Sequence, residues 1–270
     1  MKHHRGSLKT AQTTLFRLPQ SPHKTIPNHP HRKPPMPHIA LIPAAGIGSR
    51  YGAAQPKQYA PLLGIPMLQH TLNLFAANPR IAHIAIIISP ADPWFAHTIT
   101  LPPHASVHPQ GGDTRAQSIA NGIAHLLAQH IIQPSDTLLV HDAARCCLPQ
   151  SALNRLLDAL DTHPHAQQHG ALLAIPVADT LKRQTTSSPP RSAHTLPRDG
   201  IWQAQTPQAF QAALLHRALS QSNLAQITDD ASAVEQLGLQ PLLVTGDSRN
   251  IKLTRPDDAS LAEYFLQQAA

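Results

Sequence analysis

No apolar run in this chain approaches the ~20 residues of a membrane-spanning helix, which excludes a transmembrane anchor and points to a soluble protein. Cysteine is nearly absent: 270 residues hold two, adjacent at Cys146-Cys147. Neighbouring cysteines rarely pair with each other, so a disulfide scaffold is excluded and a reducing cytoplasm is the expected compartment. There is no CxxC pair and no HExxH, so no zinc site is indicated. There is no G-x-S-x-G elbow either, and Ser118 has no evident base partner. The 19 histidines are scattered, with His141 alone beside a candidate site.

Acidic residues are missing altogether from residues 1–35, which carry seven of the 21 Lys and Arg together with six prolines and five histidines. Such a segment cannot offset the entropy of ordering and is expected to be disordered. It lacks the 7–15-residue apolar centre of a secretory signal, while a basic, acid-free leader is compatible with an organelle transit peptide. The reading preferred is a passive tail, or sequence upstream of a start at Met36. Without it, 14 Lys and Arg face 15 Asp and Glu. The body therefore has no basic excess, which argues against nucleic-acid binding.

The most informative feature present is Ala44-Ala45-Gly46-Ile47-Gly48-Ser49-Arg50-Tyr51-Gly52, followed by Pro56-Lys57-Gln58-Tyr59. It comes directly after the apolar run His38–Pro43. Glycines let backbone N–H groups approach an anion, and Arg50 and Lys57 place positive charge beside them. The spacing fits neither G-x-x-x-x-G-K-[ST] nor G-x-G-x-x-G. Pro56 interrupts the helix that the second motif needs. The acidic ribose-binding residue about 20 positions further on is also missing: no Asp or Glu occurs between Gln58 and Asn78. A phosphate-binding loop of another kind is the remaining functional reading, against a plain turn between strand and helix.

At 41% apolar content the body can bury a substantial core. Strands are expected over His38–Pro43, Ile84–Ser89, Thr137–His141, Ala171–Val177 and Leu242–Thr245, most of them without polar alternation, as strands covered on both faces should be. Helices are expected over Pro66–Ala77, Thr114–His130, Ser151–Asp161, Gln208–Gln221, Asp230–Gly238 and Pro256–Gln268, the last capped by Thr254. This alternation implies one α/β domain over residues 36–270, with a mostly parallel sheet and helices on both faces. Ligands bind such sheets at the carboxyl ends of the strands. The Thr-, Ser- and Pro-rich stretch Lys182–Arg198 breaks the rhythm and reads as a protruding arm.

Further polar clusters fall at strand ends. Gly111-Gly112-Asp113-x-Arg115-x-x-Ser118 opens a helix that Asp113 or Thr114 would cap. His141-Asp142-Ala143-Ala144-Arg145 follows a very apolar strand, where a carboxylate can take a hard cation such as Mg²⁺ and Arg145 a phosphate. Asp179-Thr180-x-Lys182 and Arg198-Asp199-Gly200-x-Trp202 mark the two ends of the arm, and Thr206-Pro207-Gln208 follows. Thr228-Asp229-Asp230 reads most simply as a helix cap. Asn250-Ile251-Lys252 closes the series. Arg50, Lys57, Arg145, Arg198 and Lys252, gathered on loops of an acid-balanced body, suit a substrate with several phosphates.

Taken in order, these motifs resemble the 2-C-methyl-D-erythritol 4-phosphate cytidylyltransferase family over residues 36–270; the leader has no counterpart there. The resemblance implies a Rossmann-related, glycosyltransferase-A-like fold and transfer of CMP from CTP to methylerythritol phosphate, with Mg²⁺ and release of pyrophosphate. By the same resemblance Arg50 and Lys57 are catalytic, and Ala44, Ala45, Gly46 and Gly48 cradle the triphosphate. Gly112, Asp113 and Ser118 line the cytosine pocket. Asp142 holds Mg²⁺, and Asp142, Arg145, Thr180, Arg198, Thr206, Thr228 and Lys252 serve the substrate side. The arm, about Val177–Ile201, is implied to exchange across a two-fold homodimer, so that Thr180 and Arg198 act in the neighbour's site. Two positions depart from the pattern: Ser49, where a second basic residue is usual, and Gln117, where an acid is common. A ribitol 5-phosphate cytidylyltransferase is the nearest alternative, disfavoured by Arg198 and the Asp179-Thr180-x-Lys182 root. A non-catalytic nucleotide-binding protein is another, and a dinucleotide-dependent oxidoreductase comes last.

Overall fold

The computed structural model describes residues 1–3, 37–46 and 55–269. Contacts divide the chain into units Met1–Pro34 and Pro35–Ala270, and the architecture below is that of the second.

The strands are β1 (His38–Pro43), β2 (Pro61–Leu62), β3 (Ile65–Pro66), β4 (Ile81–Ile87), β5 (Ala105–His108), β6 (Thr137–Val140), β7 (Ala171–Pro176), β8 (Leu181–Gln184), β9 (Ser192–Leu196), β10 (Trp202–Gln211) and β11 (Leu242–Thr245). The helices are α1 (Met67–Ala76), α2 (Phe95–Thr98), α3 (Arg115–Ala128), α4 (Gln150–Thr162), α5 (Pro164–His169), α6 (Ala212–Gln221), α7 (Asp230–Glu235) and α8 (Asp258–Ala269). A seven-stranded sheet runs in the order β11-β7-β10-β6-β1-β4-β5. Every neighbouring pair is parallel except those of β10, which is antiparallel to both β6 and β7. Among the described residues no helix is long and apolar enough to cross a membrane.

Successive side chains of a strand face opposite ways, and here both faces are covered. Ala40, Ile42, Ile84, Ile86 and Leu139 pack against α1 and α4 through Leu72, Phe75, Leu153 and Leu157. Ile39, Leu41, Ala85, Ile87, Leu138 and Val140 pack on the other face against α3 and α6 through Ile119, Ile123, Leu215 and Leu219. Unbroken apolar runs are what strands buried on both sides require.

The antiparallel strand overturns one expectation. The helix read over Gln208–Gln221 begins only at Ala212, and Gln208–Gln211 belong to β10. Pairing is irregular between Ala204 and Gln208; such a break re-aims side chains. Because β10 runs against its neighbours, residues 202–206 reach the edge where the parallel strands end. α8 likewise starts at Asp258 rather than Pro256. Thr254 does not cap it: the Thr254 and Arg255 N–H groups instead donate to Asp258 Oδ2, at 2.6 and 2.8 Å. β8 and β9 form a two-stranded sheet of their own, the arm.

At the β5 edge, Ser106 Oγ lies 2.7 Å from His83 Nε2 and 2.6 Å from His108 Nε2. Burial, with His104 beside His83 and His125 beside His108, pushes both imidazoles below the usual 6.5. The folded state resists their protonation and the unfolded state does not, so stability is lost as pH falls below about 6.5. Denaturation midpoints should therefore drop between about pH 7.5 and about pH 5.5, and drop less in a His83→Gln/His108→Gln variant; equal drops would dismiss these two groups as the cause.

Candidate active site

The chain from β1 to Gly46 is held from two sides. The Ala44 N–H donates to the Ile87 carbonyl at 2.7 Å, and Gln58 Nε2 donates to the Ala44 carbonyl at 2.8 Å. Gln58 is buried in the short helical turn Lys57–Tyr59, whose Tyr59 is anchored through its hydroxyl to Asp92 Oδ2 at 2.6 Å. The Lys57 ammonium donates to the Leu253 carbonyl at 3.0 Å. Opposite, the Gly111 N–H donates to the Ile88 carbonyl at 2.8 Å. A Cβ on Gly111 would run into the Ala45 methyl and that carbonyl, so only glycine lets these two loops meet. Thr114 caps α3 by accepting from the Gln117 N–H. Ser118 Oγ, one turn in, accepts from the Gly112 N–H at 3.0 Å and donates to the Thr114 carbonyl at 2.9 Å.

These loops enclose a cavity of about 440 Å³ lined, among the described residues, by Pro43, Ala44, Ala45, Gly46, Lys57, Gln58, Ser89, Gly112, Asp113, Thr114, Arg115, Ser118, Asp142, Ala143, Ala144 and Lys252. Its buried carboxylate is Asp142, just past the end of β6. Arg115 Nε donates to Asp142 Oδ1 and Lys252 Nζ to Oδ2, both at 2.8 Å, and Arg145 Nε lies 3.6 Å from Oδ2. Burial alone would push this carboxyl up, but Arg115, Lys252 and Arg145 together hold it well below the usual carboxylate range. Arg115 also donates through both Nη atoms to Asp230, at 3.1 and 2.8 Å.

A relay fixes the backbone of Asp142 from below. Its N–H donates to Thr206 Oγ1 at 3.1 Å, and that hydroxyl lies 3.0 Å from His141 Nδ1. His141 Nε2 lies 3.0 Å from the Arg145 carbonyl, which can only accept. The proton therefore sits on Nε2, and Thr206 donates to Nδ1. Complete burial pushes the His141 pKa down to about 4, so the ring is neutral at pH 7. Lys252 arrives from the far edge of the sheet because its loop is stitched to this corner: the Leu253 N–H donates to the Ala144 carbonyl at 2.9 Å and Arg145 Nη1 to the Asn250 carbonyl at 2.6 Å.

The sequence-derived residues thus sort into groups. Ala44, Ala45, Gly46, Lys57, Gly112, Asp113, Ser118, Asp142 and Lys252 come together around the cavity. Arg145 and the buried Thr206 lie behind Asp142 and do not line it. Thr228 is exposed, one residue before Asp229, the cap of α7. Thr180 and Arg198 are exposed at the two ends of the arm and do not line the cavity. Gly48, Ser49 and Arg50 lie outside the described residues. At the second departure, Gln117 packs beside Gly112 and donates to Asn121 Oδ1 at 2.7 Å.

A family model for 2-C-methyl-D-erythritol 4-phosphate cytidylyltransferase matches residues 38–268. The chain belongs to that family. The enzyme of this name from Neisseria gonorrhoeae is 48% identical over 229 residues, covering 85% of this chain and 97% of its own. That from Chromobacterium violaceum is 51% identical over 228 residues, covering 84% and 97%. A crystal structure of 4-diphosphocytidyl-2C-methyl-D-erythritol synthase superposes with a TM-score of 0.75 at 43% identity, over 86% of this chain and 99% of that one.

For this member of the cytidylyltransferase family, sequence reasoning gave Arg115 no role and took Asp230 for part of a helix cap. The cap is Asp229 alone, in a capping box with Ser232, while Asp230 is buried against Arg115. The available signal was the doublet itself: a helix has one N-cap, so the second acid needs another partner. Gln58 and Gln208 were quoted in motifs but their buried amides were not foreseen as loop anchors. Gly111→Ala tests the loop contact. Overpacking of this kind costs about 1–3 kcal/mol, so the unfolding midpoint should fall measurably, and a wild-type midpoint would show that the Ala45 and Ile88 loops can part without cost.

Proposed function

We propose that this chain transfers CMP from CTP to 2-C-methyl-D-erythritol 4-phosphate and releases pyrophosphate, as family membership implies. A phosphate oxygen of the methylerythritol phosphate attacks the α-phosphorus of CTP. A new P–O bond forms as the bond to the bridging α,β-oxygen breaks, and pyrophosphate leaves with the electron pair. Charge spreads over the phosphoryl oxygens, so the protein's task is positioning and electrostatic stabilisation. The observation that carries this reading is the cavity in which Lys57, Arg115 and Lys252 converge beside the Ala44–Gly46 backbone.

In this scheme the Ala44–Gly48 backbone cradles the triphosphate, and Arg50 and Lys57 stabilise the α-phosphate and the leaving group. Gly112, Asp113 and Ser118 border the cytosine. Asp142 and Lys252 face the junction between nucleotide and acceptor, and Arg145, Thr206 and Thr228 serve the acceptor side, the first two from behind Asp142. Mg²⁺ suits this donor set as a counter-ion carried in by CTP. It usually takes one or two carboxylates plus phosphates, and Asp142 offers one carboxylate already balanced by Arg115 and Lys252. Bound there, it would neutralise triphosphate charge. Among the described residues no cluster of three His, Cys, Asp or Glu is placed to hold a metal by itself.

We further propose a cytoplasmic homodimer with exchanged arms. Supporting it are the two free thiols of Cys146 and Cys147 and an arm whose residues 182–184 and 186–195 are all exposed in one chain. Thr180 and Arg198 would then complete the partner's acceptor site. Of the two acceptors, methylerythritol phosphate is preferred to ribitol 5-phosphate on the family match; assaying CTP with each and identifying the products decides between them.

Lys57→Ala should fold with a normal melting profile and lose about 10²–10³ in turnover, as removal of a transition-state donor does; turnover near wild type would dismiss its role. Arm exchange is tested by mixing. Lys57→Ala and Arg198→Ala should each be impaired alone, and co-refolded dimers should recover activity that neither parent has. No recovery would assign the arm to its own chain's site.

A further inference from the structure

Asp230 is 1% exposed, absent from the cavity wall, and held by the Arg115 guanidinium. Its Oδ1 and Oδ2 accept from Arg115 Nη1 and Nη2, and the Nε–H of the same guanidinium donates to Asp142 Oδ1 at 2.8 Å. A guanidinium is planar, so a bidentate grip on its fork fixes the direction of the Nε–H. The grip is itself anchored. Gln208 Oε1 accepts from the Ala231 N–H at 2.8 Å and its Nε2 donates to Asp229 Oδ2 at 2.7 Å, which ties the first turn of α7 to β10. The chain of contacts runs from the Thr228–Asp230 loop through Arg115, at the start of α3, to the carboxylate in the cavity.

We propose that Asp230 is a positioning residue for nucleotidyl transfer. Acting through the Arg115 fork, it sets the orientation of the Asp142 carboxylate and couples the loop beside Thr228 to the nucleotide cavity. The proposal rests on Asp142 working in the transfer step, as argued above. A buried ion pair often contributes nothing net to stability. This one differs from a purely structural pair in that the same guanidinium touches the cavity carboxylate.

The test uses full-length Asp230→Asn, Arg115→Lys, the double variant and Asp142→Asn, with kcat and the KM for CTP measured for each. Removing an orienting partner that does not touch the ligand typically costs about 10–100-fold. Asp230→Asn should lose that much in kcat and leave the KM for CTP within about threefold, since a group acting on the transition state alone moves kcat rather than KM. Arg115→Lys keeps the charge and loses the fork, so it should lose as much. Because both act through one link, the double variant should be no worse than the poorer single by more than about threefold. Wild-type kcat in folded Asp230→Asn, a rise in KM with kcat intact, or losses that multiply in the double variant would each overturn the proposal. Should Asp230→Asn fail to fold, wild-type kcat in Arg115→Lys overturns it equally. Full turnover in Asp142→Asn would instead remove the role of Asp142 on which the proposal stands.

Discussion

A carboxylate withdrawn from water must be paired with cations or become protonated, and Asp142 is withdrawn almost completely. Its partners come from three separate parts of the chain: the start of α3, the loop after β6 and the loop after β11. None is near another in sequence, yet together they keep the carboxylate charged. This requirement constrains where the loops can lie. The Lys252 loop crosses from the far edge of the sheet to satisfy it, pinned on the way by Ala144 and Arg145. The neutral His141–Thr206 relay beneath orients the Asp142 backbone without adding charge of its own.

The same arrangement answers a second problem. Lys57, Arg115 and Lys252 on the cavity wall, with Arg145 behind it, would repel one another, and a protein that let them scatter would have to regather them on every binding event. Asp142 and Asp230 hold Arg115, Arg145 and Lys252 together before any ligand arrives. Preorganised cations need no reorganisation when charge develops on a phosphoryl group. The body's near balance of acids and bases therefore conceals a local positive excess, kept in order by a few buried carboxylates.

What was legible in the sequence follows from how each part is stabilised. β1, β6 and β7 were found because burial on both faces demands unbroken apolar runs. Ala44–Gly46, Lys57 and Asp142 stood out because glycine, lysine and carboxylate fall at strand ends there, and the structure brings them around one cavity. β10 was missed because its residues, Trp202-Gln203-Ala204-Gln205-Thr206-Pro207, have neither an apolar run nor the β-branched bias of a strand, and a proline argues against one. Its buried glutamines work as anchors: Gln205 donates to the Asp247 carbonyl at 2.8 Å and Gln208 grips α7. Such tertiary roles leave no periodic trace. Asp230 was misjudged for a related reason, since an acid at a helix start has a sufficient local explanation that hides a distant partner.

The arm makes the complementary case. Its two strands, Leu181–Gln184 and Ser192–Leu196, pair only with each other. A lone two-stranded hairpin is marginal in water, and this one has almost no apolar face to bury. Its order within one chain comes from the root, where the Val177 N–H donates to the Ile201 carbonyl at 3.0 Å and Trp202 pairs with Pro176. Ile201 and Trp202 stay substantially exposed there, at 44% and 36%. A protrusion that gains so little from its own chain is better placed to gain from another. The exposed Thr180 and Arg198 sit at the two ends of that protrusion. Among the described residues one molecule lines the cavity around Lys57 and Asp142, and the acceptor half, as proposed, is where a second molecule enters.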